Sequence, residues 1–263
     1  VVSQLGSGVL CVWYMRKHFE VLRMEKDDWR LRKAEVLRLL GMGVPVGLQF
    51  SITAIGSVML QSAVNSLGAV CVSGVAVAGK IYMLLACPFD ALAMAATNFT
   101  GQNLGAGKPE RIKPVYRDCI LTVLLIGVPM CALLYFFGQP LLGIYIAKDD
   151  PAYASVIASG MVRVTYMGMT YFVCGIMETC CGMVRGLGRS WMPMVVTIFG
   201  ACVLRIIWIY TIFQTHHTLD VLYLSYPVSW VVTSAVHVLC FVLIYRRMMA
   251  RWNTHKEEEN AGY

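Results

Sequence analysis

Charged residues are scarce in this sequence, and their scarcity excludes most classes of soluble protein. Only 14% of the 263 residues are Asp, Glu, Lys or Arg, whereas 58% are hydrophobic and the mean hydropathy is +0.64. Ordinary soluble domains carry about 25% charged residues. The short segments of alternating polarity that a transmembrane β-barrel needs are also missing. Several apolar runs instead reach the roughly 20 residues with which a helix crosses about 30 Å of hydrocarbon. We therefore predict an all-α, polytopic membrane helical bundle.

The residue patterns of metal, cofactor and catalytic sites are missing as well. Nine of the ten cysteines fall within apolar runs, where they act as small hydrophobic residues, and the pair His216-His217 has no third metal ligand nearby. The glycine-rich segment 101–108 is not a phosphate-binding loop, because Pro109 stands where that motif needs Ser or Thr. We expect no enzyme activity, no metal site, no cofactor and no nucleic-acid partner, and we expect membrane lipid as a partner.

The order of polar and apolar segments divides the chain into four parts. Residues 1–15 look like the end of a transmembrane helix whose beginning is absent, without a signal peptide. Residues 16–36 are rich in charge and predict a cytoplasmic amphipathic linker at the membrane surface, with a basic patch for anionic headgroups as the alternative. Residues 37–248 hold six predicted membrane spans, and residues 249–263 form a polar cytoplasmic tail.

The basic residues at the ends of the spans indicate the orientation of the chain, because cytoplasmic loops of membrane proteins are enriched in Lys and Arg. The spans are predicted at about 37–60, 71–99, 115–137, 152–184, 192–213 and 222–245. Of the 22 Lys and Arg residues, eighteen lie on one side of this layout, only Lys148 lies on the other, and three lie within spans. We therefore place the linker and the C-terminus in the cytoplasm of a multi-pass protein of the plasma membrane, and we expect a bacterial source.

Four ionisable residues within the spans are candidate functional residues: Lys80, Asp90, Glu178 and Arg205. Placing a charge in hydrocarbon costs about 2.5–3.5 kcal/mol on insertion scales, so such residues usually face a bundle interior or a wet cavity. At 1.5 Å of rise per residue, Asp90 and Glu178 lie roughly 10–14 Å from the cytoplasmic ends of their helices, whereas Lys80 and Arg205 lie in the outer half. Two acids at similar depth are what a proton or cation relay requires.

Structural roles are the alternative for the same residues. Glu178 then neutralises Arg185, seven residues further on, or Arg163 across a kink in the same predicted span. Asp90 then caps backbone groups that Pro88 leaves free. The two basic side chains of the outer half can also extend to the membrane surface instead of lining a pathway.

Polar and aromatic residues of the same spans complete the candidate site. Gln49 and Thr53 are polar members of the first span. Tyr82 belongs to a group of methionine and aromatic residues that forms either an adaptable apolar wall for varied ligands or ordinary span filling. These three residues are therefore candidate ligands of a substrate or an ion.

Two pairs of glycines predict close packing between helices. Gly43 with Gly47, and Gly182 with Gly186, fit the G-x-x-x-G pattern. This pattern lets two membrane helices approach closely, because no side chain separates the backbones. The pattern concerns packing and does not indicate a function.

Four segments resemble the multidrug and toxin extrusion (MATE) family of transporters: Gly43–Leu48, Ala78–Asp90, Gly101–Ala106 and Arg185–Ser190. The resemblance implies a twelve-helix antiporter of two six-helix lobes, with this chain as the C-terminal lobe and the N-terminal lobe as its partner. Members of the family exchange H⁺ or Na⁺ for organic cations and other xenobiotics by alternating access between the lobes.

The resemblance also identifies two positions at which some members carry acids. The acid in helix seven, eight residues beyond the proline of the G-x-P motif, corresponds to Thr53 here. The second acid corresponds to a position near Cys174, and this chain has Glu178 instead. Ion coupling is therefore assigned either to Asp90 and Glu178 or to acids of the other lobe.

Residues and resemblance together predict cation-coupled (H⁺ or Na⁺) export of drugs, organic cations or metabolites. The alternative is a lipid-linked oligosaccharide flippase of the same superfamily. Abundant basic residues lining a cavity would favour a flippase, and the spans contain few basic residues. An intramembrane enzyme would need a paired catalytic constellation, which no spacing presents, and a membrane scaffold would not need acids at matched depth. We expect no transport by this chain alone, because a single lobe has no partner to move against.

Overall fold

The computed structural model describes residues 1–20 and 30–261, with the side chains of the last helix described as far as Thr254 and at Glu257. The described residues are predominantly helical, and none of them lies in a strand. The all-α class predicted from the composition is therefore confirmed.

The chain divides into two units, Val1–Gly41 and Met42–Tyr263, and we call the second unit the lobe. The first unit contains α1 (Val2–His18), which has no buried residue and ends in a basic turn. Basic side chains suit this position because the C-terminal end of a helix carries a partial negative charge. Residues 21–29 of the predicted linker 16–36 lie outside the described residues, so its amphipathic character stays a prediction.

The lobe consists of long helices and of shorter helices that combine into membrane-length stretches. Helix α2 (Lys33–Asn65) begins in the first unit and continues in the lobe. It is followed by α3 (Ala69–Gly105), α4 (Ile112–Gly143), α5 (Tyr153–Arg163), α6 (Tyr171–Gly186), α7 (Trp191–Thr197), α8 (Leu204–Tyr210), α9 (Ile212–Thr215) and α10 (Leu219–Ala261). Among the described residues, five stretches are long and apolar enough to cross a membrane, and the pair of α5 and α6, bent by 45°, is a sixth candidate. These stretches match the six predicted spans.

Two of the spans contain π-helical turns. Val164–Gly168 follows α5, and Ile198–Val203 connects α7 to α8. Such turns add a residue to the helical repeat and often occur near functional sites. Neither segment contains a proline, the residue that most often interrupts a helix.

The last helix extends beyond the predicted span. Helix α10 reaches Ala261, so the predicted polar tail 249–263 is helical over its described length. Arg, Met, Ala, Lys and Glu are strong helix formers. High charge therefore ends the apolar span here without ending the helix.

Helices α3 and α6 pack together through glycines of α6. A Cβ atom added at Gly182 would lie 2.5 Å from a carbonyl oxygen of α3, and one added at Gly186 would lie 2.6 Å from another. The backbones approach this closely because no side chain stands between them, which confirms the packing predicted for this pair. At Gly43 and Gly47, in contrast, an added Cβ would have no atom within 4 Å. These two glycines therefore mediate no close helix contact among the described residues.

Candidate functional site

The two predicted acids lie on helices that pack against each other. Asp90 lies on α3, directly after the buried Phe89, and its side chain is exposed at the surface of the lobe. Glu178 lies on α6 and is half-buried. Glu178 lies between Gly175, which packs against the Phe89 ring, and Gly182, which packs against the carbonyl group of Ala93. The contact between the two helices therefore places both acids in one neighbourhood.

The packing of Phe89 orients Asp90 relative to α6. Phe89 is 2% exposed. Its ring packs edge-on against the Tyr171 ring, with the two ring centroids 5.1 Å apart. A Cβ atom at Gly175 would collide with the Phe89 ring, so this ring fills the space that the glycine leaves on α6. Successive residues of a helix are rotated by about 100°. Asp90 therefore lies at the margin of the face that α3 presents to α6.

The two arginines considered as counter-charges for Glu178 bind other groups. Nη2 of Arg185 donates a hydrogen bond to Oε1 of Gln49 on α2 at 2.7 Å. Nη1 of Arg163 donates to the carbonyl oxygen of Val75 on α3 at 2.9 Å. Between described residues, neither arginine forms an ion pair with Glu178. The ion pairs that would make Glu178 a structural residue are therefore not formed.

Gln49 and Thr53 share one face of α2, and Gln49 is the one that reaches another helix. Gln49 is 6% exposed, and its bond to Arg185 joins α2 to α6. Thr53 is half-buried, and its Oγ1 donates to the carbonyl oxygen of Gln49 at 2.7 Å. The hydroxyl group of Thr53 is thus satisfied within its own helix, whereas Gln49 lies beside the neighbourhood of the acids.

Arg185 occupies a different place from the one that the sequence suggested. The sequence assigns it to the glycine-rich segment that follows the fourth predicted span and counts it as a loop cation. In the structure it is half-buried in the last turn of α6, and the chain turns only at Gly188, whose φ of 76° favours glycine. The side chain of Arg185 therefore belongs to the interior of the lobe.

Arg205 is held inside the lobe by residues of α10. Its guanidinium group lies 3.9 Å from the centroid of the Tyr226 ring, and its Nε donates to Oγ of Ser229 at 2.8 Å. Its Nη2 is buried and has no hydrogen-bond partner among the described residues. Lys80, in contrast, is exposed, and its Nζ lies 5.1 Å from the centroid of the Tyr145 ring. Extension toward the membrane surface thus fits Lys80 and does not fit Arg205.

Aromatic rings connect the region of the acids to the arginine of α8. Tyr82 lies edge-on to Tyr171 at 4.6 Å, and Tyr171 lies edge-on to Trp230 at 5.6 Å. Trp230 in turn lies edge-on to Tyr226 at 5.5 Å. We call Tyr82, Phe89, Tyr171, Tyr226 and Trp230 the aromatic row. The predicted wall residue Tyr82 is therefore half-buried within a continuous set of packed rings.

The sequence reasoning missed a second polar contact inside the lobe. Oγ1 of Thr197 and Nε2 of His237 lie 3.2 Å apart, and the two residues are 4% and 1% exposed. Nδ1 of His237 is buried and has no partner among the described residues. The sequence signal that could have predicted this contact is the single histidine in the long apolar run of α10. A buried imidazole normally has hydrogen-bond partners, so this histidine predicts a polar partner on a neighbouring helix.

Comparison with known sequences relates the chain to one family. The family model described as MatE matches residues 45–211. The probable multidrug resistance protein YoeA of Bacillus subtilis is 24% identical over 202 residues, which cover 76% of this chain and 42% of that protein. The probable multidrug resistance protein NorM of Thermotoga maritima is 25% identical over 204 residues, which cover 77% of this chain and 42% of that protein. The chain thus spans less than half the length of these relatives.

Solved structures of similar proteins share the fold. A crystal structure of MATE in complex with MaL6 matches with a TM-score of 0.82 at 18% identity and covers 94% of this chain and 56% of that one. A MOP superfamily transporter from Pyrococcus furiosus, described as having a binding pocket of reverse polarity, matches with a TM-score of 0.81 at 19% identity and covers 92% of this chain and 54% of that one. At these identities the likeness shows the fold.

Proposed function

We propose that this chain, which belongs to the MatE family of multidrug transporters, forms one lobe of an antiporter. This antiporter exports drugs, organic cations or metabolites in exchange for H⁺ or Na⁺. The observation that carries this proposal is the pair of acids on α3 and α6, which no ion pair among the described residues neutralises. A carboxylate within a membrane span is unfavourable unless it is paired or reaches water. A coupling ion that binds and leaves supplies the missing positive charge.

In this proposal Asp90 and Glu178 bind the coupling ion. Two carboxylates in one neighbourhood repel each other, so a proton on one of them, or Na⁺ beside both, relieves the repulsion. A cationic substrate that binds near the same acids competes with that ion. Such negative coupling between two ligands of one site links the import of the ion to the export of the substrate.

The neighbours of the acids support this role. Gln49 accepts the hydrogen bond of Arg185, and among the described residues this arginine forms no ion pair with the Glu178 carboxylate. The aromatic row provides Tyr and Trp rings beside the acids, and the faces of such rings attract organic cations. The residues around the acids thus suit both a small ion and a larger organic cation.

The proposal includes a second lobe, because this chain spans only 42% of each of two multidrug resistance relatives. In transporters with repeated halves, access alternates as one half moves against the other around a site between them. We propose an N-terminal six-helix lobe of the same transporter as the partner. We further propose that the protein lies in the plasma membrane with its linker and C-terminus in the cytoplasm, and that this chain alone transports nothing.

Transport by the full-length protein in proteoliposomes tests the proposal. Movement of a fluorescent organic cation is recorded with an imposed Na⁺ gradient, with an imposed H⁺ gradient and with neither. We expect the wild type to respond to one of the two gradients. Asp90→Asn and Glu178→Gln should lose this response, because an amide neither carries the proton nor supplies negative charge for Na⁺.

The matched control for this experiment is Asp118→Asn. Asp118 is an exposed acid on α4 that pairs with Arg117 at 3.0 Å, so its substitution removes the same charge away from the site. This variant should transport like the wild type. If Asp90→Asn and Glu178→Gln both transport as well as Asp118→Asn, the acids have no part in coupling. A wild type that responds to neither gradient contradicts cation coupling itself.

The flippase is a second candidate, and Arg205 is the observation in its favour. A guanidinium group whose buried Nη2 has no partner among the described residues suits the phosphate of an anionic lipid-linked sugar, because arginine binds phosphate through paired N–H donors. Flipping of a fluorescent lipid-linked oligosaccharide in vesicles, abolished by Arg205→Gln, supports this candidate. Antiport predicts that the wild type does not flip this substrate.

A further inference from the structure

A wide cavity lies at one end of the lobe, where the loop after α3, the loop after α6 and the residues of α10 around 243–252 meet. Its volume is about 1410 Å³. Arg189, Arg247 and Arg251 line it together with Trp191 and Trp252. Neither of the two acids of the candidate site lines this cavity, so it is a separate feature of the lobe.

The guanidinium groups of the three cavity arginines have no partner in the part of the chain that the structure describes. None of these side chains forms a hydrogen bond or an ion pair with a described residue. Other arginines of the lobe do form such contacts, as the bond from Arg185 to Gln49 illustrates. Glu110 is the acid in the cavity wall. Three guanidinium groups and one carboxylate give this wall a net positive charge.

The remaining wall of the cavity is apolar and accessible. Trp191 is 55% exposed, Leu243 is 44% exposed and Trp252 is 39% exposed. Tryptophan at the end of a membrane helix typically lies at the level of the lipid headgroups, with its ring against acyl chains and its N–H near water. The cavity therefore presents guanidinium groups next to apolar side chains.

We propose that this cavity binds an anionic phospholipid, with its phosphate on Arg189, Arg247 and Arg251 and an acyl chain along Trp191 and Leu243. Guanidinium groups bind phosphate oxygens through paired N–H donors. A free phosphate ion would contact the arginines and leave the apolar rings exposed to water, whereas a phospholipid covers both parts of the wall. The charge and the apolar area together therefore select the lipid.

The predicted orientation of the chain supports this occupant. The cavity lies at the end of the lobe that carries most of its basic residues, and the sequence places this end at the cytoplasmic surface. Anionic lipids concentrate in the cytoplasmic leaflet, and basic pockets between membrane helices on that side suit their headgroups. The lipid site is additional to the transport function proposed above, because its residues do not include the acids.

Native mass spectrometry of the full-length protein tests the lipid site. The purified protein in detergent is titrated with dioleoyl phosphatidylglycerol or with dioleoyl phosphatidylcholine, and the retained lipid is counted. We expect one tightly retained phosphatidylglycerol and no equivalent phosphatidylcholine. Replacing Arg189, Arg247 and Arg251 together by Gln should weaken phosphatidylglycerol binding roughly a hundredfold, and Arg251→Gln alone about fivefold.

The matched control removes three positive charges from the same end of the lobe outside the cavity. Arg111, Lys113 and Arg246 are exposed and do not line the cavity, so their joint replacement by Gln should leave phosphatidylglycerol binding unchanged. Equal losses in the two triple variants would show nonspecific attraction and overturn the proposal. Displacement of the lipid by millimolar inorganic phosphate, or wild-type retention of both lipids alike, would overturn it as well. If the triple variant fails to fold, phosphatidylglycerol binding by the single exposed variant Arg251→Gln tests the proposal instead, and unchanged binding by this variant would overturn it.

Discussion

One methyl group added at Gly182 tests the packing on which the candidate site depends. Glu178 lies about one turn before this glycine on α6, and Asp90 lies about one turn before Ala93 on α3, so the contact between the two helices sets the separation of the acids. The added Cβ would lie 2.5 Å from the carbonyl oxygen of Ala93 and 2.8 Å from Oγ1 of Thr97. The first of these atoms belongs to the backbone, which cannot rotate away, so the helices must move apart.

The expected loss of stability from Gly182→Ala is about 2 kcal/mol. Overpacking of a well-packed contact costs about 1–3 kcal/mol, and a backbone neighbour places this substitution near the upper value. The higher helix propensity of Ala returns about 1 kcal/mol. A change of 1 kcal/mol moves Tm by roughly 2–4 °C in a protein of 150–250 residues, and by about half as much in a protein twice that size. A loss of about 2 kcal/mol should therefore lower the Tm of the full-length transporter by about 2–4 °C.

Thermal unfolding of the purified full-length protein, followed by intrinsic fluorescence, measures this shift. Gly47→Ala is the matched control, because an added Cβ there meets no atom within 4 Å and the gain in helix propensity is the same. The control should melt at the wild-type temperature or slightly above it. A Gly182→Ala protein that melts as high as the control would refute the close approach of α3 and α6, and the inferred proximity of the two acids with it.

The same unfolding assay checks two further substitutions. Gln49→Leu removes the acceptor of the Arg185 guanidinium group and should lower stability by about 1–3 kcal/mol. Gln49→Glu keeps an acceptor and should leave the stability unchanged. Equal melting temperatures of the two variants would contradict the contact between α2 and α6. Arg205→Lys removes a planar group from the Tyr226 ring and should cost about 1–2 kcal/mol, and an unchanged Tm would show that the stacking contributes nothing.

The membrane helices were predictable because hydrocarbon restricts the backbone to few structures. An unpaired backbone N–H or C=O group is costly there, so long apolar runs become helices wherever they occur. The interruption between α5 and α6 was not predictable in this way. Val164–Gly168 contains no proline, and Arg163, immediately before it, binds the carbonyl oxygen of Val75 on another helix. A contact with a distant segment accompanies this turn, and local residue preferences do not encode such contacts.

The partner of Arg185 illustrates the same limit within the candidate site. Helical periodicity places Arg185 on nearly the same face as Glu178, seven residues earlier, and on that basis an ion pair was one of the alternatives. The side chain instead binds Gln49, 136 residues away in sequence. Periodicity describes one helix at a time, and the nearest acceptor for a long side chain often belongs to a neighbouring helix.

The sequence by itself determined that this chain crosses a membrane as helices and that it carries acids and bases inside them. Both conclusions follow from the free energy of transferring each residue from water to hydrocarbon, which depends on residue type and run length alone. Only the tertiary structure decided that the half-buried arginines are held by a glutamine, a carbonyl oxygen and an aromatic ring, while Asp90 and Glu178 form no ion pair among the described residues. Hydrogen bonds and ion pairs act over a few ångströms, so the choice of partner depends on which helix faces meet.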